Sequence, residues 1–218
     1  MTVRVLVVDD QELFRDAVAV MLARDERVAD VAVAASGEAA IEHVRAHAVD
    51  VVLMDVRMPG MDGIRATREV LRVRPSVKVL VLTTFDLDEY VYAAIREGAS
   101  GFLTKDAGAA ELADAAVAVA SGESVMSTRA TAALVGFVRE GVPRTVSSDA
   151  LDALSAREQE IARALATGAS NDDIARALFL SPNTVKTHVK AVLAKLGLPD
   201  RVHVVIWAYE NGILRPRS

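Results

Sequence analysis

Short runs of valine and leucine alternate with longer mixed stretches through the first half of the chain. The runs VRVLVV at 3–8, DVAVAA at 30–35, DVVLMD at 50–55, VKVLVL at 77–82 and SGFLT at 100–104 are nearly continuous in apolar character. That is the pattern of strands buried on both faces. The segments 12–23, 37–46, 64–73, 88–97 and 109–120 between them are long enough for helices, and Ser36 with Glu38 two residues on reads as a helix start. Five strands alternating with five helices predict an α/β doubly wound, five-stranded parallel sheet covered on both faces. In such sheets ligands bind outside the carboxyl ends of the strands.

Read off those ends, the residues are Asp9 and Asp10, Asp55, Thr83 and Thr84, and Thr104 and Lys105. The stretch VVLMDVRMPGMDG at 51–63 is the clearest instance: four apolar residues, the acid Asp55, then a Met-Pro-Gly turn. A single acid at a strand end is an ordinary solubilising residue. Three acids converging from two parallel neighbours repel one another, and a hard divalent cation with oxygen ligands, such as Mg2+, relieves that repulsion. A carboxylate in that position can accept a phosphoryl group. The hydroxyl and ammonium groups nearby are what the charged equatorial oxygens of that group require.

After residue 121 the pattern changes. An Ala/Leu/Val stretch at about 127–139 reads as a short helix, and Gly141, Pro143 and the serines that follow read as a flexible linker. This places a first domain at 1–121, a linker at 122–150 and a second domain at 151–218. In the second domain Ser155 with Glu158, and Ser170 with Asp173, have the spacing of capping boxes that open two helices. The second of these, at about 171–178, ends in the turn FLSPN, and Pro182 opens a third running to about Leu196. Two short helices joined by a brief turn make a helix-turn-helix. Val185, Val189, Val192, Leu193 and Leu196 form the apolar stripe of the third helix, and Thr184, Lys186, Thr187, His188, Lys190 and Lys195 form its polar face. No acid occurs between Asp173 and Asp200, so this face suits the major groove of double-stranded DNA.

Composition sharpens the division. Of 218 residues none is cysteine, which excludes disulfides, thiolate zinc sites and thiol catalysis. Residues 1–124 hold 13 basic and 21 acidic side chains, a net −8, whereas 125–218 hold 12 and 9, a net +3. Two domains with different partners are expected. The chain opens MTVRVLVVDD, without a charged leader or long apolar run, so a cytoplasmic protein without membrane contact is expected. His43 and His47 have the i, i+4 spacing of metal ligands but no third ligand near them in sequence, and they read as surface residues of an amphipathic helix.

The signatures VVDD, DVRMPGMDG, LTTFD and GASGFLTKD resemble the receiver domain of two-component response regulators over about the first 120 residues. That resemblance implies a flavodoxin-like strand order 2-1-3-4-5. It implies Asp55 as phosphoacceptor and a Mg2+ site formed by Asp9, Asp10, Asp55 and the backbone carbonyl of Arg57. Thr83, 22 residues before Lys105, falls at the switch hydroxyl, with Thr84 beside it; Lys105 falls at the phosphate-pairing lysine. Phe102 occupies the switch-aromatic position, with Phe where many relatives have Tyr; a plain core aromatic is the other reading.

The second half resembles the four-helix DNA-binding domain of LuxR-type regulators through LSAREQEIARALATGASNDDIA, LFLSPNTVKTHVKAVLAKLG and DRVHVVIWAYENG. On that resemblance Lys186, Thr187 and Lys190 face bases, and Asn183, Thr184 and His188 touch phosphates. A last helix at about 200–210 forms a dimer contact through Val202, Val205, Ile206 and Tyr209. Asp172 departs from relatives, which often carry Lys or Glu there.

Taken together these features predict a phosphorylation-activated transcriptional regulator of the NarL/FixJ type. It would take a phosphoryl group from a sensor histidine kinase and bind DNA as a homodimer. Two alternatives remain beside it. An orphan regulator would work without phosphorylation, but a pseudo-receiver typically loses one of the five residues kept here, Asp9, Asp10, Asp55, Thr83 and Lys105. An aspartyl-phosphate hydrolase would place a second acid two residues after the nucleophile, where this chain has Arg57; no enzyme activity is expected.

Overall fold

The computed structural model describes residues 2–83, 88–123, 125–126, 151–167 and 169–213. The chain divides into two compact units, Met1–Leu134 and Val135–Ser218. In the first, strands β1 (Val3–Val8), β2 (Val28–Ala34), β3 (Val51–Asp55), β4 (Lys78–Thr83), β5 (Gly101–Thr104) and β6 (Val125–Met126) form one parallel sheet in the order β2-β1-β3-β4-β5-β6. Helices α1 (Glu12–Leu22), α2 (Gly37–Ala46), α3 (Gly63–Val73), α4 (Asp88–Arg96) and α5 (Ala109–Ala120) alternate with the first five strands.

The doubly wound order is the expected one, with two differences. Val125 and Met126 add a sixth strand beside β5, too short to leave a periodic signal. β2 is an edge strand, so Ala29, Asp30 and Val33 lie exposed although the run reads as fully apolar at its centre. The short helix expected at about 127–139 lies outside the described residues.

Side-chain alternation sorts the strands between two buried faces. Val3, Val5 and Val7 of β1 join Val51, Leu53, Leu80 and Leu82 in a core under Val18 and Leu22 of α1 and Leu112, Ala116 and Val119 of α5. Leu6, Val8, Val52 and Met54 point the other way and are also fully buried. Each such side chain contributes about 1.5–3 kcal/mol by burial, and together they fix the register. Val8 stands opposite Met54 and Asp55 opposite Leu82, while Thr83 stands opposite Thr104. The next residue beyond each of these pairs is therefore delivered to the same edge.

In the second unit, α6 (Ala156–Ala166), α7 (Asn171–Leu178), α8 (Pro182–Leu196) and α9 (Arg201–Glu210) are the four expected helices. Both capping boxes form: the Ser155 and Ser170 hydroxyls accept from the amides of Glu158 and Asp173, whose carboxylates accept from the serine amides in return. Ile161, Leu165, Ile174, Val185, Val192 and Val204 make the centre of a separate core. No helix among the described residues is long and apolar enough to cross a membrane.

Candidate functional site

The strand ends bring five polar side chains to one edge of the sheet. Asp9 follows β1, Asp55 ends β3, Thr83 ends β4 and Lys105 follows β5, with Asp10 beside Asp9. Asp9 and Asp55 are only 1% and 4% exposed and Thr83 is buried, whereas Asp10 is open to solvent. Lys105 Nζ lies 2.7 Å from Asp9 Oδ2 and 3.1 Å from Asp55 Oδ2, so one ammonium bridges two buried carboxylates. Its backbone and head are both held: the Lys105 amide donates to the Thr83 carbonyl at 2.7 Å, and the ammonium lies 4.8 Å from the centre of the Phe14 ring. Asp9 Oδ1 accepts from the Gln11 amide at 2.9 Å, which orients the carboxylate.

The electrostatics follow from burial. Loss of water raises the Asp55 carboxyl pKa above the ordinary range; Lys105 opposes that shift, and the Asp9 charge adds to it. Burial alone would lower the Lys105 pKa, but Asp9 and Asp55 more than offset it and hold the ammonium charged.

Oxygen atoms of Asp9, Asp10 and Asp55 all lie within 4.8 Å of one another. Asp9 Oδ2 is fully buried, with the Lys105 ammonium 2.7 Å away as its counter-charge. Three carboxylates offering hard oxygen donors this close together, against a single ammonium, fit a divalent cation such as Mg2+. Among the described residues no other group of three acid or imidazole side chains comes as close. His43 and His47 instead stack their rings, 4.3 Å between centroids, with His47 Nδ1 3.2 Å from the His43 carbonyl.

The loop after Asp55 depends on two glycines. Gly60 turns the chain at φ 80°, a conformation in which side chains are strained. Gly63 opens α3 so close to β3 that a Cβ there would fall 1.8 Å from the Asp55 carbonyl oxygen. The motif DVRMPGMDG carried both glycines, but the reason for Gly63 is visible only in the packing. Arg57 is exposed, with its guanidinium 5.7 Å from the centre of the Tyr90 ring of α4. A cleft of about 690 Å³ opens beside Asp10, lined by Arg57, Pro59, Arg65, Arg68 and Tyr90 among others. Phe102 is buried on β5, opposite Val81 and Met126. Thr84 lies outside the described residues.

In the second unit, α8 buries Val185 and Val192 and exposes Asn183, Thr184, Lys186, Thr187 and Lys190; His188 is half-buried. Ser181 caps the helix, its hydroxyl accepting from the Thr184 amide at 3.1 Å. The Thr187 hydroxyl donates to the Asn183 carbonyl at 3.1 Å, which leaves its methyl and its acceptor capacity outward. Lys195, grouped with that polar face in the sequence, is instead paired with Glu158 of α6 at 2.7 Å. This pair and the amide and hydroxyl of Ser155 lower the Glu158 pKa to about 2. Of the residues expected at a dimer contact, Val202 and Ile206 are 7% and 6% exposed within the single chain and Val205 is half-buried. The Tyr209 side chain lies outside the described residues.

Comparison with known proteins agrees with both halves. Residues 5–117 match the family model described as response regulator receiver domain, and residues 152–208 match that described as bacterial regulatory proteins, luxR family. The chain is 36% identical over 213 residues to the transcriptional regulatory protein YxjL of Bacillus subtilis, covering 98% of each. It is 38% identical over 212 residues to the probable transcriptional regulatory protein NarL of Mycobacterium tuberculosis, covering 97% of this chain and 96% of that one. Among solved structures, the response regulator ChrA of a heme-sensing two-component system is 35% identical, with a TM-score of 0.53 over 98% of this chain and 99% of that one.

Proposed function

The chain belongs to the two-component response regulators that join a receiver domain to a LuxR-type DNA-binding domain, transcription regulators rather than enzymes, and from that premise we propose that Asp55 accepts a phosphoryl group from a sensor histidine kinase and so controls DNA binding by α8. The observation that carries this reading is the bridge of Lys105 between Asp9 and Asp55 at the carboxyl ends of parallel strands. Residues 1–121 are assigned to the receiver, 122–150 to the linker and 151–218 to DNA binding, in a protein acting in the cytoplasm.

In the transfer, an Asp55 carboxylate oxygen forms the new bond to phosphorus as the bond from phosphorus to the donor breaks. The cleft beside Asp10 gives the donor room to approach. Lys105 then exchanges a carboxylate oxygen of Asp55 for a phosphoryl oxygen while keeping Asp9, so its charge stays compensated. Thr83, one strand away, donates its hydroxyl to the phosphoryl group; that movement, with the packing around Phe102 on the neighbouring strand, is the switch. Asp9, Asp10, Asp55 and the Arg57 carbonyl would hold Mg2+, which supplies positive charge against carboxylate and phosphoryl oxygens.

On the DNA side, Lys186, Thr187 and Lys190 read bases, and Asn183, Thr184 and His188 meet phosphates. Activation favours a homodimer through Val202, Val205, Ile206 and Tyr209, which sets two α8 helices one DNA turn apart. Incubation with acetyl phosphate and Mg2+ tests the acceptor assignment: the wild-type chain gains one phosphoryl group by mass and Asp55→Asn gains none. Undiminished labelling of the Asn variant overturns it.

A further inference from the structure

Phe179 combines two properties rarely found together in a large apolar residue. It is 94% exposed, and its backbone is left-handed, φ 55° and ψ 46°. It is the single non-glycine residue at positive φ among the described residues. Its amide and that of Leu180 both turn back to the Ala175 carbonyl and close α7. This helix-ending geometry favours glycine, because a Cβ is strained in it. At the end of α8 the chain does use glycine, Gly197 at φ 66°. Leu178 and Leu180 on either side pack against the core of the unit, which leaves Phe179 alone turned outward. Neither the strain nor the exposed ring adds to the stability of the unit, which makes the ring a candidate contact for something outside it.

Its position indicates what that is. Phe179 lies in the turn two residues ahead of Ser181, the cap of α8, and four and five residues ahead of the exposed Asn183 and Thr184 of the first helical turn. An aromatic ring at the entry of a helix laid in the major groove comes against the nonpolar parts of the duplex, the thymine methyl and the carbon face of deoxyribose. We propose that Phe179 contacts DNA, an apolar anchor continuous with the basic face of α8; the inference rests on the reading of α8 as the recognition helix. The contact neutralises no phosphate, so it adds affinity without adding to the salt dependence.

The test uses the full chain with acetyl phosphate and Mg2+, and a duplex that the wild-type protein selects from a random-sequence pool. Phe179→Gly removes the ring and the strain together. The expected result is binding weaker by roughly five-fold or more, near the low end of the cost of disrupting one position of a binding site, with the salt slope unchanged and the thermal midpoint equal or higher. Phe179→Tyr keeps the ring and should bind like the wild type. Replacing thymine by uracil in the duplex distinguishes the two surfaces: a matching loss for the wild type assigns the methyl and no loss assigns the sugar, and either keeps the duplex as partner. Binding by Phe179→Gly equal to wild type overturns the inference alone, as does weaker binding with a lowered thermal midpoint, which would make the residue structural. Unchanged DNA binding with weakened transcription also overturns it, in favour of a protein partner. A wild-type chain that retains no duplex overturns this inference and the DNA-binding reading together.

Discussion

Gly63 lies directly against the backbone of Asp55, so close that a single methyl on its Cα would fall 1.8 Å from the Asp55 carbonyl oxygen. The Gly63 amide also donates to the Val56 carbonyl at 2.9 Å, so the start of α3 and the end of β3 hold each other in place. Backbone cannot yield as a flexible side chain can. Gly63→Ala should therefore cost about 3 kcal/mol or more in stability, at the upper end of overpacking substitutions. It should also slow acetyl phosphate labelling by displacing Asp55. Chemical denaturation and mass spectrometry check the two effects; a variant as stable as wild type would contradict this packing.

Burial works against the charged form of Asp55. Its folded-state pKa is raised, chiefly by burial, so its contribution is most favourable below the unfolded pKa and is lost as pH rises through the folded one. At pH 7 and without divalent cations, Asp55→Asn should raise the thermal midpoint by roughly 2–4 °C, the shift expected for about 1 kcal/mol in a chain of this size. Saturating Mg2+ should narrow the gap by stabilising the wild type alone. A lower midpoint for the Asn variant at pH 7 would mean that the Lys105 pair outweighs the burial cost.

Glu158 titrates in the opposite sense. Its pKa is lowered to about 2 by Lys195 and by the amide and hydroxyl of Ser155, so its contribution is present above the unfolded carboxylate range and is lost as pH falls through about 2. Glu158→Gln should flatten the acid dependence of helical circular dichroism between about pH 4.5 and pH 2. A wild-type acid profile in the Gln variant would show that the pair contributes nothing.

The strand ends were legible in the sequence because burial on both faces leaves unbroken apolar runs, and the polar residue that stops each run is the one at the sheet edge. Asp9, Asp55, Thr83 and Lys105 could be placed together on that ground before any geometry was known. The pair of Glu158 and Lys195 could not, since its members are 37 positions apart and each has another reading in the sequence, Glu158 as half of a capping box and Lys195 as part of the polar face of α8. β6 left only an indirect trace: a Cβ on Gly101 would fall 2.4 Å from the Val125 carbonyl oxygen, so the glycine in SGFLT marks a neighbour that two residues of strand cannot announce. Phe179 read as part of a turn, and its left-handed backbone follows from no local preference, because glycine or asparagine is the usual choice there.

Lys186→Ala and Lys190→Ala should each weaken binding to a selected duplex by about 1–3 kcal/mol and relax preference at one position of the site if they contact bases. If they meet only phosphates, affinity should fall equally on all sequences and the salt slope should shrink by about one for each lysine. No effect from either substitution would misplace the recognition face.

The central claim is that phosphorylation of Asp55 controls DNA binding. It is tested most directly by measuring the affinity of the full chain for a selected duplex with and without acetyl phosphate and Mg2+, in wild type and in Asp55→Asn. The wild type should bind at least about ten-fold more tightly when phosphorylated, a coupling of about 1.4 kcal/mol, and the Asn variant should not respond. An equal gain in the Asn variant, or no gain in a wild type shown by mass to be phosphorylated, would contradict the account.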